Sequence, residues 1–413
     1  MVEFQRYKLS NGLTVILHQD KTTPMVVVNT LYDVGARDES EQKTGFAHLF
    51  EHLMFGGSIN ILDFDKELQK AGGESNAFTS NDITNYYEII PAQNIETALW
   101  LESDRMLSLA FTEKSLEVQR NVVIEEFKQR YLNQPYGDVW LELRPLAYEK
   151  HPYKWATIGK DLSHIENATM SDVKSFFKKH YHPSNAILCV SGNFDNSKIR
   201  KQIETYFGEI PGGLKPARIN PQEPKQVAFK IKSINRDVPA NAFYYAFNMG
   251  PRKSSDYYLG DIMSDAVGKD NSSVLNISLK KELELVTEIN AFITGSLDDG
   301  LFVISGKLAE GVSFEQLDDQ LWRILNEIKE SGIYAEKLIG IKNKISTSKA
   351  FQEQGLLNRS INLSFFELLG DANGINEDAL IYQKIESIDL ISFAKNTFVK
   401  TNCSLLKVCN NAK

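Results

Sequence analysis

Short motifs recur along this 413-residue chain at a nearly constant spacing, and that recurrence limits its architecture more than any other feature. Phe247-Asn248-Met249-Gly250-Pro251-Arg252 follows Tyr32-Asp33-Val34-Gly35-Ala36-Arg37 by 215 residues. Leu321-Trp322 follows Leu99-Trp100 by 222, and Ser392-Phe393, Phe398 and Asn402 follow Ser175-Phe176, Tyr181 and Asn185 by 217. The chain is also too long for one core of ordinary size. Between the copies, residues 208–225 hold three glycines and four prolines, the composition of a linker. The expected division is a first domain at 1–207, the linker at 208–225, and a repeated domain at 226–413.

Local pattern gives the class of each copy. Tyr7-Lys8-Leu9, the turn Ser10-Asn11-Gly12 and Leu13 to Leu17 read as a hairpin, and Met25 to Tyr32 as a further strand. Helices are expected around 45–55, 63–71, 93–109, 112–132 and 170–180. Two strands fall within 74–90, with a turn near Ser80-Asn81-Asp82, and another at 185–192. Alternation of this kind gives an α+β fold: two tandem, structurally repeated α/β domains, each a mixed sheet with helices packed on one face.

A net charge of −8 without a basic run disfavours nucleic acid as a partner. No apolar window is long enough to span a bilayer, and Met1 to Tyr7 runs straight into a strand without a leader-like segment. The expectation is therefore a cytoplasmic chain, or a periplasmic one if a signal has been trimmed. Cys189, Cys403 and Cys409 lie in or beside apolar runs without metal-type spacing and read as free thiols.

The chemistry is concentrated in the first copy, because all seven histidines lie at or before His182. On a helix, the His48-Leu49-Phe50-Glu51-His52 segment sets two imidazoles one turn apart with a carboxylate beside them. This H-x-x-E-H order is the inverzincin signature: two neutral nitrogen ligands for zinc, and in Glu51 a base able to take a proton from water. A third ligand is sought among Glu125 and Glu126. With Val123 at the centre of the apolar face of the 112–132 helix, Leu116 and Phe127 lie close beside it and Val122 about a quarter-turn to one side. Glu126 then falls between Val122 and Val123 on the packed side and Glu125 nearly opposite. A carboxylate on a packed face needs a strong partner, so Glu126 is the expected ligand of one zinc ion per chain. Gln119 shares that face and is the expected supporting residue behind it. His18, His151, His164, His180 and His182 read as structural or exposed. A purely structural zinc site would need a fourth protein ligand, and no cysteine lies near these residues in sequence.

The stretch Gly45 to Phe55, with Gly72-Gly73-Glu74-Ser75-Asn76-Ala77-Phe78-Thr79-Ser80-Asn81-Asp82 and Arg120-Asn121-Val122-Val123-Ile124-Glu125-Glu126, resembles the pitrilysin family of zinc peptidases. The resemblance implies the same roles for His48, His52, Glu126 and Glu51. It further implies that Ser75, Asn76, Ala77 and Phe78 form an edge strand to which an extended or unfolded peptide adds by backbone pairing. Short members of the family resemble half of a clamshell and work as pairs, as homodimers or with a related second subunit. Full-length relatives carry an arginine and a tyrosine in a segment like L-R-x-E-x-x-L-x-Y. The matching segment here, Leu279 to Thr287, has Lys280 and Thr287 at those positions. The expected function is thus a zinc-dependent endopeptidase, the metal-bearing subunit of a two-chain, processing-peptidase-like clamshell. The alternative is a catalytically silent assembly subunit.

Overall fold

Strand β3 (Met25–Tyr32) is buried along nearly its whole length, on both of its faces. A strand so apolar cannot lie at a solvated surface, and it sits inside a six-stranded sheet with β1 (Gln5–Lys8), β2 (Thr14–Gln19), β4 (Glu74–Thr79), β5 (Thr84–Pro91) and β6 (Ala186–Gly192). The order is β1-β2-β6-β3-β5-β4, with β2 and β6 parallel and every other pair antiparallel. The structure is a computed structural model in which residues 1–218 and 221–411 are described.

A second, five-stranded sheet repeats this plan without a counterpart of β1. It contains β7 (Lys230–Arg236), β8 (Ala242–Met249), β9 (Val286–Ile293), β10 (Gly300–Leu308) and β11 (Cys403–Asn410), in the order β7-β11-β8-β10-β9. Here β7 and β11 are the parallel pair. Register repeats as well: Tyr32 pairs with Ala186 and Thr84, and Phe247 with Cys403 and Phe302. Even single hydrogen bonds recur. Asn185 Nδ2 donates to the carbonyls of Asp33 and His180, and Asn402 Nδ2 to those of Asn248 and Thr397.

Packing divides the chain differently from the sequence expectation. One compact unit comprises residues 1–128, 155–220 and 349–378; the other comprises 129–154, 221–348 and 379–413. The exchanged segments explain why helices on one face alone is incomplete. In the first unit, Tyr32 and Tyr86 face one helical layer, while Asn29 and Leu31 on the other face meet the helix Leu356–Leu369. Asn29 Nδ2 donates to Ser364 Oγ at 3.0 Å, and Leu363 joins Ile16, Leu31, Ile187 and Cys189 in a buried cluster. In the second unit the helix Val139–Ala147 presents Val139, Leu143 and Ala147 to Ala242, Ala246, Val303 and Leu406. Each sheet is covered on both faces, and a stretch from the other sequence copy closes the second one.

The expected linker is a fixed strap over its first part. Asn11 Nδ2 donates to the carbonyls of Phe207 and Ile210, and Arg218 bridges Asp33 and Asp38 at 2.7 and 2.6 Å. Ile219 and Asn220 of that stretch lie outside the described residues. Glu223 then accepts the backbone N–H groups of Glu149, Lys150 and His151. The cysteines are unpaired, Cys189 and Cys403 buried and Cys409 half-buried. Among the described residues no helix is long and apolar enough to cross a membrane.

Candidate metal centre

The histidine helix, Phe46–Leu53, begins at Gly45, whose φ of 87° lies in the left-handed region. A Cβ there would stand 2.6 Å from the Ile158 carbonyl oxygen, so the position is closed to any other residue. The helix buries Phe46, Ala47, Leu49, Phe50 and Leu53, with Phe50 stacked on Phe176 and Tyr181. That anchoring directs His48 and His52 to one side, rings edge to face with centroids 4.9 Å apart.

The glutamate helix, Glu113–Phe127, starts at Thr112, whose Oγ1 accepts the Ser115 N–H. Leu116, Val123 and Phe127 are buried. Helical phase then separates the adjacent carboxylates. The Glu125 side chain is 61% exposed and pairs with Lys128, whereas that of Glu126 is 18% exposed and faces the histidines. Glu126 Oε2 stands 3.6 Å from His48 Nε2 and 3.3 Å from His52 Nε2. One ligand atom from each of the three lies within 4.8 Å of the others, and no other such group is found among the described residues. Ligand bonds of about 2.0–2.1 Å in a tetrahedron put neighbouring donor atoms about 3.3–3.4 Å apart, so this donor set fits a zinc ion with one position left over.

Glu51 is half-buried on the same helix. Its charge bears on the phenols of Tyr86 and Tyr181, which burial above all pushes upward. Gln119 is half-buried two turns before Glu126. Ser75, Asn76, Ala77 and Phe78 lie on β4, which among the described residues pairs only with β5 and ends the sheet. The Ala77 N–H is taken by the Asn76 side-chain oxygen at 2.8 Å and so lies outside the ladder with β5, on the open edge. Lys280 and Thr287 are both exposed.

The remaining histidines do not join the cluster. His18 lies within β2 rather than after it, bonded to the Glu3 carbonyl and to Arg359. His151 pairs with Asp298, His164 with Thr44, His182 with Ser184, and His180 is buried against Phe176.

Two features were not found from the sequence. Glu39, 8% exposed, accepts the N–H groups of Gly45 and Ala47 at 2.9 and 2.8 Å. Burial pushes its carboxyl well above the usual range, against the pull of those two donors. Arg105 is fully buried on the helix Ile95–Leu107, between Glu88 and Glu102, with its guanidinium over the rings of Phe64 and Tyr86 at 4.6 and 4.5 Å. Phe55, just past the histidine helix, completes that cage at 5.6 Å. Nothing in the spacing of these residues announces a buried ion cluster, which forms only when β5 and the helix pack.

Among the described residues the second copy offers no equivalent centre. The buried set Leu49, Phe50, Leu53 and Met54 has its counterpart in Ile262, Met263, Ala266 and Val267, each 213 residues later. On that register Asp261, Ser264 and Asp265 stand for His48, Glu51 and His52. Asp265 is neutralised by Lys269 and Lys344, and Asp261 accepts from the Tyr382 hydroxyl.

Fold and site together define a duplicated α+β chain whose first copy alone gathers two histidines and a glutamate around a place for one cation. The chain belongs to peptidase family M16. Residues 14–158 match the model described as Insulinase (Peptidase family M16), and residues 167–345 the model described as Peptidase M16 inactive domain. The chain is 29% identical over 386 residues to the zinc protease PqqE of Helicobacter pylori, covering 92% of this chain and 84% of that one. It is 25% identical over 310 residues to the mitochondrial-processing peptidase subunit beta of Saccharomyces cerevisiae, covering 71% of this chain and 66% of that one. A crystal structure of a protease from Helicobacter pylori superposes with a TM-score of 0.92 at 27% identity, covering 99% of this chain and all of that one.

Proposed function

We propose that the chain is a zinc-dependent endopeptidase that hydrolyses extended or unfolded peptides, and that it is the metal-bearing subunit of a pair. The observation that carries this reading is the convergence of His48, His52 and Glu126 on one point beside Glu51. His48, His52 and Glu126 would hold the ion. Zinc, when bound, acts there as a Lewis acid that makes a water easier to deprotonate and a peptide carbonyl easier to attack. Glu51 takes the proton from the attacking water and passes it to the nitrogen of the leaving strand. The open edge of β4 pairs with the peptide backbone and holds the scissile bond in an extended conformation. Backbone pairing reads shape more than side chains, so broad specificity is expected.

Lys280 and Thr287 support the need for a second chain, because neither supplies the planar guanidinium or phenol hydroxyl expected at those positions. The same two residues favour the alternative of a silent assembly subunit. Glu51→Gln separates the readings. It is expected to lower kcat on the order of 10²- to 10⁴-fold, the usual contribution of a general base, with zinc retained. Measured with and without a co-purifying chain, equal turnover by wild type and variant would leave only the assembly role.

A further inference from the structure

We infer that Glu39 is a positioning residue for the metal centre: its carboxyl group grips the first turn of the histidine helix and so fixes where His48, Glu51 and His52 are presented. This assignment rests on the metal-centre reading above and extends it to a residue that touches neither ion nor substrate.

The first turn of any helix has N–H groups with no partner inside the helix. An Asp or Asn at the N-cap ordinarily accepts one of them. Here the N-cap is Gly45, which has no side chain to offer and no room for one. Glu39, six residues earlier, fills the role from outside, with Oε2 accepting the Gly45 N–H and Oε1 the Ala47 N–H. Two bonds from one rigid carboxyl to two points on the turn restrict both tilt and rotation, where a single cap bond would leave rotation free. Ala47 directly precedes His48, and the helix is only eight residues long. A displacement of its first turn therefore reaches His48 and His52 undamped. So short a helix has little stability of its own, and its orientation is set by what holds it.

Glu39 is itself held firmly. It follows the turn Ala36–Asp38, where Gly35 is pressed against Asn81 so closely that a Cβ would stand 2.5 Å from its carbonyl. Within the turn, Arg37 is buried and pairs with Asp82 at 3.2 Å, and Asp38 is bound by Arg218. Trp155 Nε1 donates to the Ala36 carbonyl at 2.9 Å. The sheet edge, the strap and the turn thus form one connected support that ends at the metal helix. Burying a carboxyl group this deeply is costly, and capping an exposed helix would not require it.

The experiment uses cobalt(II) in place of zinc, read by visible absorption and by competition with a chelator, on the full chain. Glu39→Gln retains the size of the side chain but turns one acceptor into a donor facing an N–H. It is expected to change the cobalt absorption bands and to weaken metal affinity by roughly ten- to a hundredfold, as loss of residues that orient ligands commonly does. Glu39→Asp keeps the carboxyl on a shorter arm and is expected to recover both in part; it decides the matter if the glutamine variant does not fold. Ser364→Ala, on the opposite face of the sheet, serves as the control: a lower Tm with unchanged bands and affinity. If Glu39→Gln or Glu39→Asp behaves like Ser364→Ala, Glu39 only stabilises the fold and the inference is overturned alone. A wild-type chain that takes up no stoichiometric cobalt overturns the metal-centre reading and the inference with it.

Discussion

Two adjacent glutamates show how far a single residue can be read from sequence. Helical phase alone assigned Glu126 to the packed side and Glu125 to solvent, and the side chains are 18% and 61% exposed. The apolar positions Leu116, Val123 and Phe127 fix that face locally, whereas Val122, expected at its margin beside Glu126, is 44% exposed. Glu39 left no such trace. It stands six residues before the helix it caps, across a loop whose path depends on Arg37, Trp155 and Arg218 packing in three dimensions. Histidine at position 180 gives a prediction at this scale. Burial pushes its pKa down to about 3, below the roughly 6.5 of an unfolded chain. The unfolded chain therefore binds a proton between those values that the folded chain does not. The resulting stability is complete above about pH 6.5 and is lost as the pH falls toward 3. His180→Phe is expected to flatten this acid slope in thermal melts between pH 7 and pH 4; an unchanged slope would assign it to other groups.

At the scale of elements, strand alternation and turn residues were sufficient to locate the hairpin, β3, β4 to β6, and the helices that carry His48, His52 and Glu126. The helix Val139–Ala147 escaped notice. Its interior Pro145 removes a backbone donor and reads as a break. Its apolar residues Val139, Leu143 and Ala147 serve a sheet whose strands lie far along the chain. The edge strand β4 carries the proposed peptide pairing, and the Ala77 N–H is turned to its open side. Ala77→Pro removes that donor without removing a bond to β5. It is expected to lower kcat/KM for an extended peptide about tenfold, the equivalent of one hydrogen bond of roughly 1.4 kcal/mol. Zinc content should be unaffected, which a metal assay on the same sample checks. Retention of full kcat/KM would remove the backbone at Ala77 from the binding surface.

For the whole molecule, the duplication was legible as a recurring set of residues, but the exchange of segments was not. Contacts such as Asn29 with Ser364 and Ser191 with Ser360 join residues more than 160 positions apart and leave no local pattern. Residues 1–220 alone would expose the face formed by Ile16, Leu31, Ile187 and Cys189. That fragment is expected to melt without cooperativity and to be digested rapidly. Fusing residues 349–378 to it should restore a cooperative transition; equal stability of the two fragments would contradict the division into these units. The central claim is that His48, His52 and Glu126 share one ion. The most direct measurement is anomalous diffraction at the zinc edge from crystals of the zinc-loaded chain. The expected result is one peak per chain within about 2.0–2.2 Å of the two histidine Nε2 atoms and a Glu126 oxygen. A peak elsewhere, or none at full zinc loading, would contradict it.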